Sequence, residues 1–162
     1  MLVRNAEERD IPRIAEIIIF GKRVAYRDIF QDDAVSFQEL QVVSLARHYN
    51  KDPKLLGQML VYDDGIVKGV INRRQGQDAI EICELYVEPF FLGQGIGSKL
   101  LGQAIQEARQ QGVPSLYLWV VADNLKARAF YEKHGFSASG KTAVVEGTDK
   151  LELHYVMQAG QQ

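Results

Sequence analysis

The chain has 162 residues, 46% of them hydrophobic and 25% charged, with a formal net charge of −2. This length suits one domain with a substantial core, and the composition is that of an ordinary soluble globular protein. Nothing in the overall charge points to nucleic acid or an anionic membrane, and the longest apolar runs, such as IIIF at 17–20, are far too short to cross a bilayer.

The N-terminal run MLVRNAEERD has no basic start followed by an apolar stretch, so no secretory signal is expected. Cys83 is the single cysteine, which rules out an intrachain disulfide and a Cys-built zinc site and fits a reducing, cytoplasmic setting. His48, His134 and His154 are scattered without metal-ligand spacing, so no metal is expected.

Taken in chain order, LVRNA reads as a short strand. Asp10 offers an N-cap to a helix that tolerates Pro12 in its first turn and carries Ile11, Ile14, Ala15 and Ile18 at helical spacing. A second helix is expected from about Ala34 to Tyr49, closed before Pro53. LLGQMLVY and IVKGVIN read as strands joined by the turn DDG, and RRQGQD as another turn. AIEICELYV is a third strand. It is apolar on both parities, with Ile80, Ile82 and Tyr86 on one and Cys83, Leu85 and Val87 on the other, which places it inside a sheet.

A proline break and a glycine-dense loop follow in LYVEPFFLGQGIGSKLL. The next helix has the apolar stripe Leu100, Leu101, Ala104, Ile105 and Ala108, with Gly112 as C-terminal cap and Pro114 beyond it. SLYLWVV is a strand. DNLKARAFYEKHG is a short helix, capped by Asp123 or Asn124 at its start and by Gly135 at its end. SASGKTAVV and KLELHYVMQ are the last strands, around the turn EGTD. The order β-α-α-β-β-β-α-β-α-β-β implies an α/β fold, a central mixed sheet flanked by helices, with residues 1–162 as a single domain.

A helix start presents unpaired N–H groups and the positive end of the macrodipole, and glycines let the backbone turn sharply there. The loop at Gly93, Gly95 and Gly97 therefore suits phosphate or pyrophosphate, unless the glycines only tighten a turn. Gly97-Ser98-Lys99 fails the Walker spacing. The third glycine comes one place early for a Rossmann fingerprint, and no acid lies around 111–113.

The runs ELYVEPFFLGQGIGSKLL and VVADNLKARAFYEKHGF resemble the GNAT superfamily of acetyl-coenzyme A-dependent N-acetyltransferases. The former is similar to the family's strand, pyrophosphate loop and helix. The latter is similar to its other signature, a strand leading to Asn, a helix with Phe-Tyr, then Gly-Phe. The likeness covers about Ile80 to Phe136 in motif and nearly the whole chain in element order. One departure is Leu92, where the family usually has Gln or Arg.

The resemblance implies an acetyl-CoA co-substrate. Amides of Leu92, Gly93, Gln94, Gly95, Ile96, Gly97 and Ser98 would hold its pyrophosphate, with the Ser98 hydroxyl available. Backbone groups of Leu85, Tyr86 and Val87 would pair with the pantetheine arm where the sheet splays, Asn124 would bond that arm, and Ala127 and Phe130 would line it. Acetyl transfer to an amine needs a base for the amine, a donor for the carbonyl oxygen and an acid for the thiolate. Tyr131 is the candidate acid, with a core tyrosine as its bland reading. Glu84 is the candidate base, with Glu81 or a relay water as rivals and a salt bridge as the bland reading. A backbone N–H near Tyr86 or Val87 is the oxyanion donor. Cys83 is expected to be an inert buried thiol rather than an acyl carrier.

The acceptor, a small-molecule amine or a peptide or protein amine, would meet the segments GKRVAYRDIFQDD and VVEGTDKLELHY. Tyr26, Asp32 and Asp33 could receive a cation there or belong to a solvated loop. Neither a basic stripe nor an aromatic platform for nucleic acid is present. Self-association is common in the family, so a homodimer is an open expectation. Two rival readings stand beside the enzyme: an acyl-CoA-sensing module of the same fold, and a different nucleotide-binding enzyme.

Overall fold

A computed structural model describes residues 2–160. The elements are β1 (Val3–Asn5), α1 (Ile11–Phe30), α2 (Val42–Lys51), β2 (Met59–Asp63), β3 (Val67–Gln75), β4 (Ala79–Val87), α3 (Ile96–Gln110), β5 (Ser115–Val121), α4 (Leu125–Lys133), β6 (Ser137–Val144) and β7 (Leu151–Gln158). This is the order expected from the sequence. The strands form one seven-stranded sheet, β1-β2-β3-β4-β5-β7-β6, with β4 at its centre. It is mixed: β4 and β5 run parallel through Ala79↔Ser115 to Glu81↔Tyr117, while β5 and β7 are antiparallel. Among the described residues no helix is long and apolar enough to cross a membrane.

Contacts divide the chain into two compact units, Met1–Arg73 with Glu84–Ala104 and Arg74–Cys83 with Ile105–Gln162. In the first, Ile11, Ile14, Ile17 and Ile18 of α1 point into a core with Tyr49 of α2, Leu56, Met59 and Val61 of the β2 arm, and Val67 and Val70 of β3. Ile14, Ile17 and Ile18 are wholly buried, as the 3.6-residue period of that stripe requires. In the second, Leu116, Leu118 and Val120 of β5 are buried at alternate positions, as are Ile80 and Ile82 of β4, and Ile105 and Ala108, one turn apart on α3, are buried as well. Tyr155 of β7 donates its hydroxyl to Glu132 (2.8 Å) and accepts from Arg128 Nε (3.0 Å), which ties α4 to β7.

Four local expectations need correction. Asp10 precedes α1 but makes no side-chain cap to it. Its carboxylate accepts the Glu7 N–H (2.8 Å) and both terminal nitrogens of Arg4 (2.8 and 3.0 Å), which satisfies a buried anion better than one cap bond. The second expected helix is broken. Residues 35–39 form a wide π-type turn, and Leu40 and Gln41 are extended before α2 begins at Val42. Arg23 of α1 donates to the carbonyls of Ser36 and Leu40 (2.9 Å each), a tertiary pull that helical periodicity cannot reveal. The run LLGQ is a 3-10 turn rather than strand, with Leu56 sent into the core. The chain from Arg73 to Gln75, read as turn, continues β3.

The Arg4 cluster makes stability depend on acid. Burial pushes the Asp10 carboxyl up, but the Arg4 hydrogen bonds and the Glu7 amide outweigh it and leave it below the ordinary value. Asp63 is lowered by the Gly65 amide and by Arg4. A carboxyl whose folded pKa lies below its unfolded value, about 3.9 for Asp, stabilises the fold at higher pH. That contribution is lost as pH falls through the folded value. Urea midpoints should therefore drop below about pH 4, and the drop should be shallower in Arg4→Met.

Candidate functional site

The glycine loop lies in the first unit. Glu88 leads into a single turn, Pro89–Phe91, and Gly93 and Gly95 both follow at φ +80°. A β-carbon added at either would meet nothing within 4 Å. These two positions are thus glycine because the backbone is left-handed, not because the space is filled. Gly97 already belongs to α3. The Lys99 N–H bonds to Gly95 O at 3.1 Å, so the N–H groups of Ile96, Gly97 and Ser98 come before the first intrahelical bond. The loop from Leu92 to Gly95 is exposed, whereas Ile96 is only 3% exposed and anchors the turn. Phe90 is 90% exposed and Leu92 58%, which gives the loop an apolar rim.

Two features missed in the sequence fix this loop. Glu88 is buried and receives Arg13 of α1 at 3.0 Å, while Arg13 also donates to Val67 O at 3.1 and 2.8 Å. Gly69 of β3 is the other. A β-carbon there would sit 2.9 Å from Ile96 Cγ2 and from Leu100 Cδ1, and 3.4 Å from Tyr86 O. A glycine inside a strand is the available signal for such a close approach. Gly69→Val should push the start of α3 away, costing about 1–3 kcal/mol by overpacking. Urea denaturation and calorimetric titration with coenzyme A should show both the lost stability and a weaker complex.

Glu84 and Tyr86 both face α1. A β-carbon at Gly21 would lie 2.6 Å from Tyr86 Cδ1, so the ring is pressed against the α1 backbone. Glu84 is largely buried, with Asn72 donating Nδ2 to Oε1 at 3.1 Å and Lys22 Nζ 3.4 Å from Oε2. Burial, then the Glu84 charge, pushes the Tyr49 hydroxyl well above its ordinary value, which keeps it a neutral donor. Glu81, the rival carboxylate, belongs to the second unit and is paired with Arg74. Both candidates thus have a cationic partner. The other acids singled out are engaged locally: Asp33 with Arg27 (2.9 Å), and Asp32 with the Val35 N–H (3.2 Å). Tyr26 packs on Phe30.

In the second unit, Asn124 caps α4 by accepting the Ala127 N–H at 3.2 Å. This resolves the choice between Asp123 and Asn124. Asn124, Ala127 and Tyr131 fall at i, i+3 and i+7, one stripe of α4. The Tyr131 ring is half-buried between Phe130 and Phe136, edge-on to each at centroid distances of 5.2 and 5.7 Å. Phe130 lies 4.5 Å from the His134 ring. Gly135 at φ +94° turns the chain out of the helix, as expected. Cys83 is exposed, contrary to expectation. It shares its strand face with Glu81, which lies opposite Tyr117, and Trp119 two residues on is 36% exposed. A strand apolar on both parities does not say which face stays open. Among the described residues no group of three or more His, Cys, Asp or Glu side chains comes together as a metal site.

The model of the acetyltransferase (GNAT) family matches residues 23–136. An uncharacterized N-acetyltransferase of Methanocaldococcus jannaschii is 38% identical over 66 residues, 41% of this chain and 29% of that protein. An acetyltransferase of Agrobacterium fabrum is 32% identical over 101 residues, 62% of this chain and 72% of that one. The chain spans less than two thirds of the first curated relatives it matches, from 29% to 58% of their length. The crystal structure of the PaiA N-acetyltransferase of Thermoplasma acidophilum, in complex with coenzyme A, superposes with a TM-score of 0.73. It is 20% identical and covers 96% of this chain and 97% of its own.

Proposed function

The chain belongs to the GNAT acetyltransferase family, and from that premise we propose that it moves an acetyl group from acetyl-CoA to a primary amine by direct attack. The observation that carries this reading is the loop itself. Two left-handed glycines set exposed backbone at the N-terminus of a 15-residue helix, an arrangement that suits a diphosphate. Amides of Leu92, Gly93, Gln94, Gly95, Ile96, Gly97 and Ser98 would hold it. No loop side chain has to act for this, which is why Leu92 can replace a polar residue.

Leu85, Tyr86 and Val87 would serve the pantetheine arm through their backbone, and the Tyr86 ring is already committed to α1. Asn124 accepts the Ala127 N–H at Oδ1, and its Nδ2 is the donor it would offer the arm. Ala127 and Phe130 would line the arm. The bound thioester supplies the acyl group and a thiolate leaving group. Glu84, directly or through water, takes the proton from the amine. Glu81 is the alternative, weakened by its exposed Arg74 partner. A backbone N–H at Tyr86 or Val87 steadies the carbonyl oxygen, and Tyr131 gives a proton to the departing sulfur.

A free-thiol assay across small amines, peptide N-termini and lysine peptides tests the reaction and defines the acceptor. Thiol release with at least one amine, and thermal stabilisation by acetyl-CoA but not by NAD or ATP, are expected. Stabilisation without turnover on any amine would make the chain a sensing module instead.

A further inference from the structure

Glu84 is held from two sides, and one of its holders is poorly placed for stability. Asn72 of β3 donates Nδ2 to Glu84 Oε1 at 3.1 Å. An amide has one donor end and one acceptor end, so giving Nδ2 to the carboxylate fixes Oδ1 elsewhere. The reverse orientation would set a carbonyl against a carboxylate. Oδ1 is buried and has no hydrogen-bond partner among the described residues. A buried acceptor without a donor destabilises a fold, whereas an apolar side chain at such a place does not. Asn72 lies opposite Met59, itself fully buried, so the neighbourhood would accept an apolar side chain. What the Asn72 amide secures here is its bond to Glu84.

We propose that Asn72 is a positioning residue for the acetyl transfer, holding the Glu84 carboxylate in one orientation while Lys22 holds its other oxygen. The proposal rests on the reading of Glu84 as the base. A carboxylate free to rotate meets the amine proton in a poor geometry for part of the time, and small misplacements of a reacting group can cost about 100-fold in rate. Lys22, from α1, restrains Oε2 only as a point charge at 3.4 Å, whereas the Asn72 amide gives a directed bond to Oε1.

The test compares Asn72→Leu, Asn72→Ala, Glu84→Gln and the double variant Asn72→Leu/Glu84→Gln. Both Asn72 variants should lose about 10- to 100-fold in kcat with the KM and Kd for acetyl-CoA unchanged. Asn72→Leu should melt close to the parent, since loss of the orphaned Oδ1 offsets the Glu84 oxygen left without its donor, and the smaller Asn72→Ala keeps the test valid if Leu overpacks. The double variant should be no slower than Glu84→Gln alone, because Asn72 acts through Glu84. Unchanged kcat in both Asn72 variants beside an impaired Glu84→Gln would overturn the role of Asn72 alone. So would a loss that multiplies with that of Glu84→Gln, or one that tracks a fall in melting temperature. An unimpaired Glu84→Gln would remove the assignment of the base, and this inference with it.

Discussion

Tyr131→Phe is expected to lower kcat by about 100-fold, the low end of what a positioned proton donor contributes, while the affinity for acetyl-CoA stays at the parental value. The substitution keeps the ring in place, because the ring is held by its aromatic neighbours. Phe130 and Phe136 meet it edge-on, and both contacts survive removal of the hydroxyl oxygen. The helix is equally untouched, since the Tyr131 carbonyl takes the His134 and Phe136 N–H groups at 3.0 and 3.1 Å whatever the side chain. A rate loss of this size corresponds to about 2.7 kcal/mol of transition-state stabilisation, more than the deletion of one neutral hydrogen bond usually costs. Parallel pre-steady-state and titration measurements separate the effect on chemistry from that on binding. Parental kcat in this variant would leave Tyr131 as a packing residue of the second unit and return the thiolate to solvent.

The parts legible in the sequence are those with strong local signals. The α3 stripe, the alternation in SLYLWVV and the doubly apolar β4 each fixed one element, and their order fixed the fold. The glycine loop was legible for the same reason: a left-handed backbone at Gly93 and Gly95 has to be written as glycine. What escaped was set by distant partners. The break before α2 comes from Arg23, thirteen and seventeen residues away from the carbonyls it takes. Arg13 and Glu88 are seventy-five residues apart, and each alone reads as an ordinary surface charge. Glu84 could be singled out as a carboxylate in an apolar strand, but its partners Lys22 and Asn72 come from two other elements and leave no periodic trace. Cys83 is exposed against expectation because burial on a two-sided strand depends on what covers each face.

Gly95→Ala and Gly102→Ala should act in opposite directions, although both sit in or beside α3 and an added β-carbon meets nothing within 4 Å at either. Gly102 lies inside the helix and is exposed, so alanine there should raise stability by about 0.5–1 kcal/mol through helix propensity. Gly95 stands at φ +80°, where a side chain strains the backbone by about 1–2 kcal/mol. That strain is relieved only by rotating the peptide units on either side, which redirects the amides proposed to hold the diphosphate. Coenzyme A should therefore bind at least about 100-fold more weakly to Gly95→Val, the β-branched and most strained form, a loss of ~2.7 kcal/mol. Gly102→Ala should bind it like the parent. Since an added β-carbon is uncrowded at either position, a steric account predicts no effect in Gly95→Ala, and only the backbone account predicts a loss confined to position 95. Calorimetric titration of Gly95→Ala, Gly95→Val and Gly102→Ala with coenzyme A, alongside their urea midpoints, decides between the two accounts. Parental affinity in Gly95→Val would mean that the loop amides do not hold the cofactor.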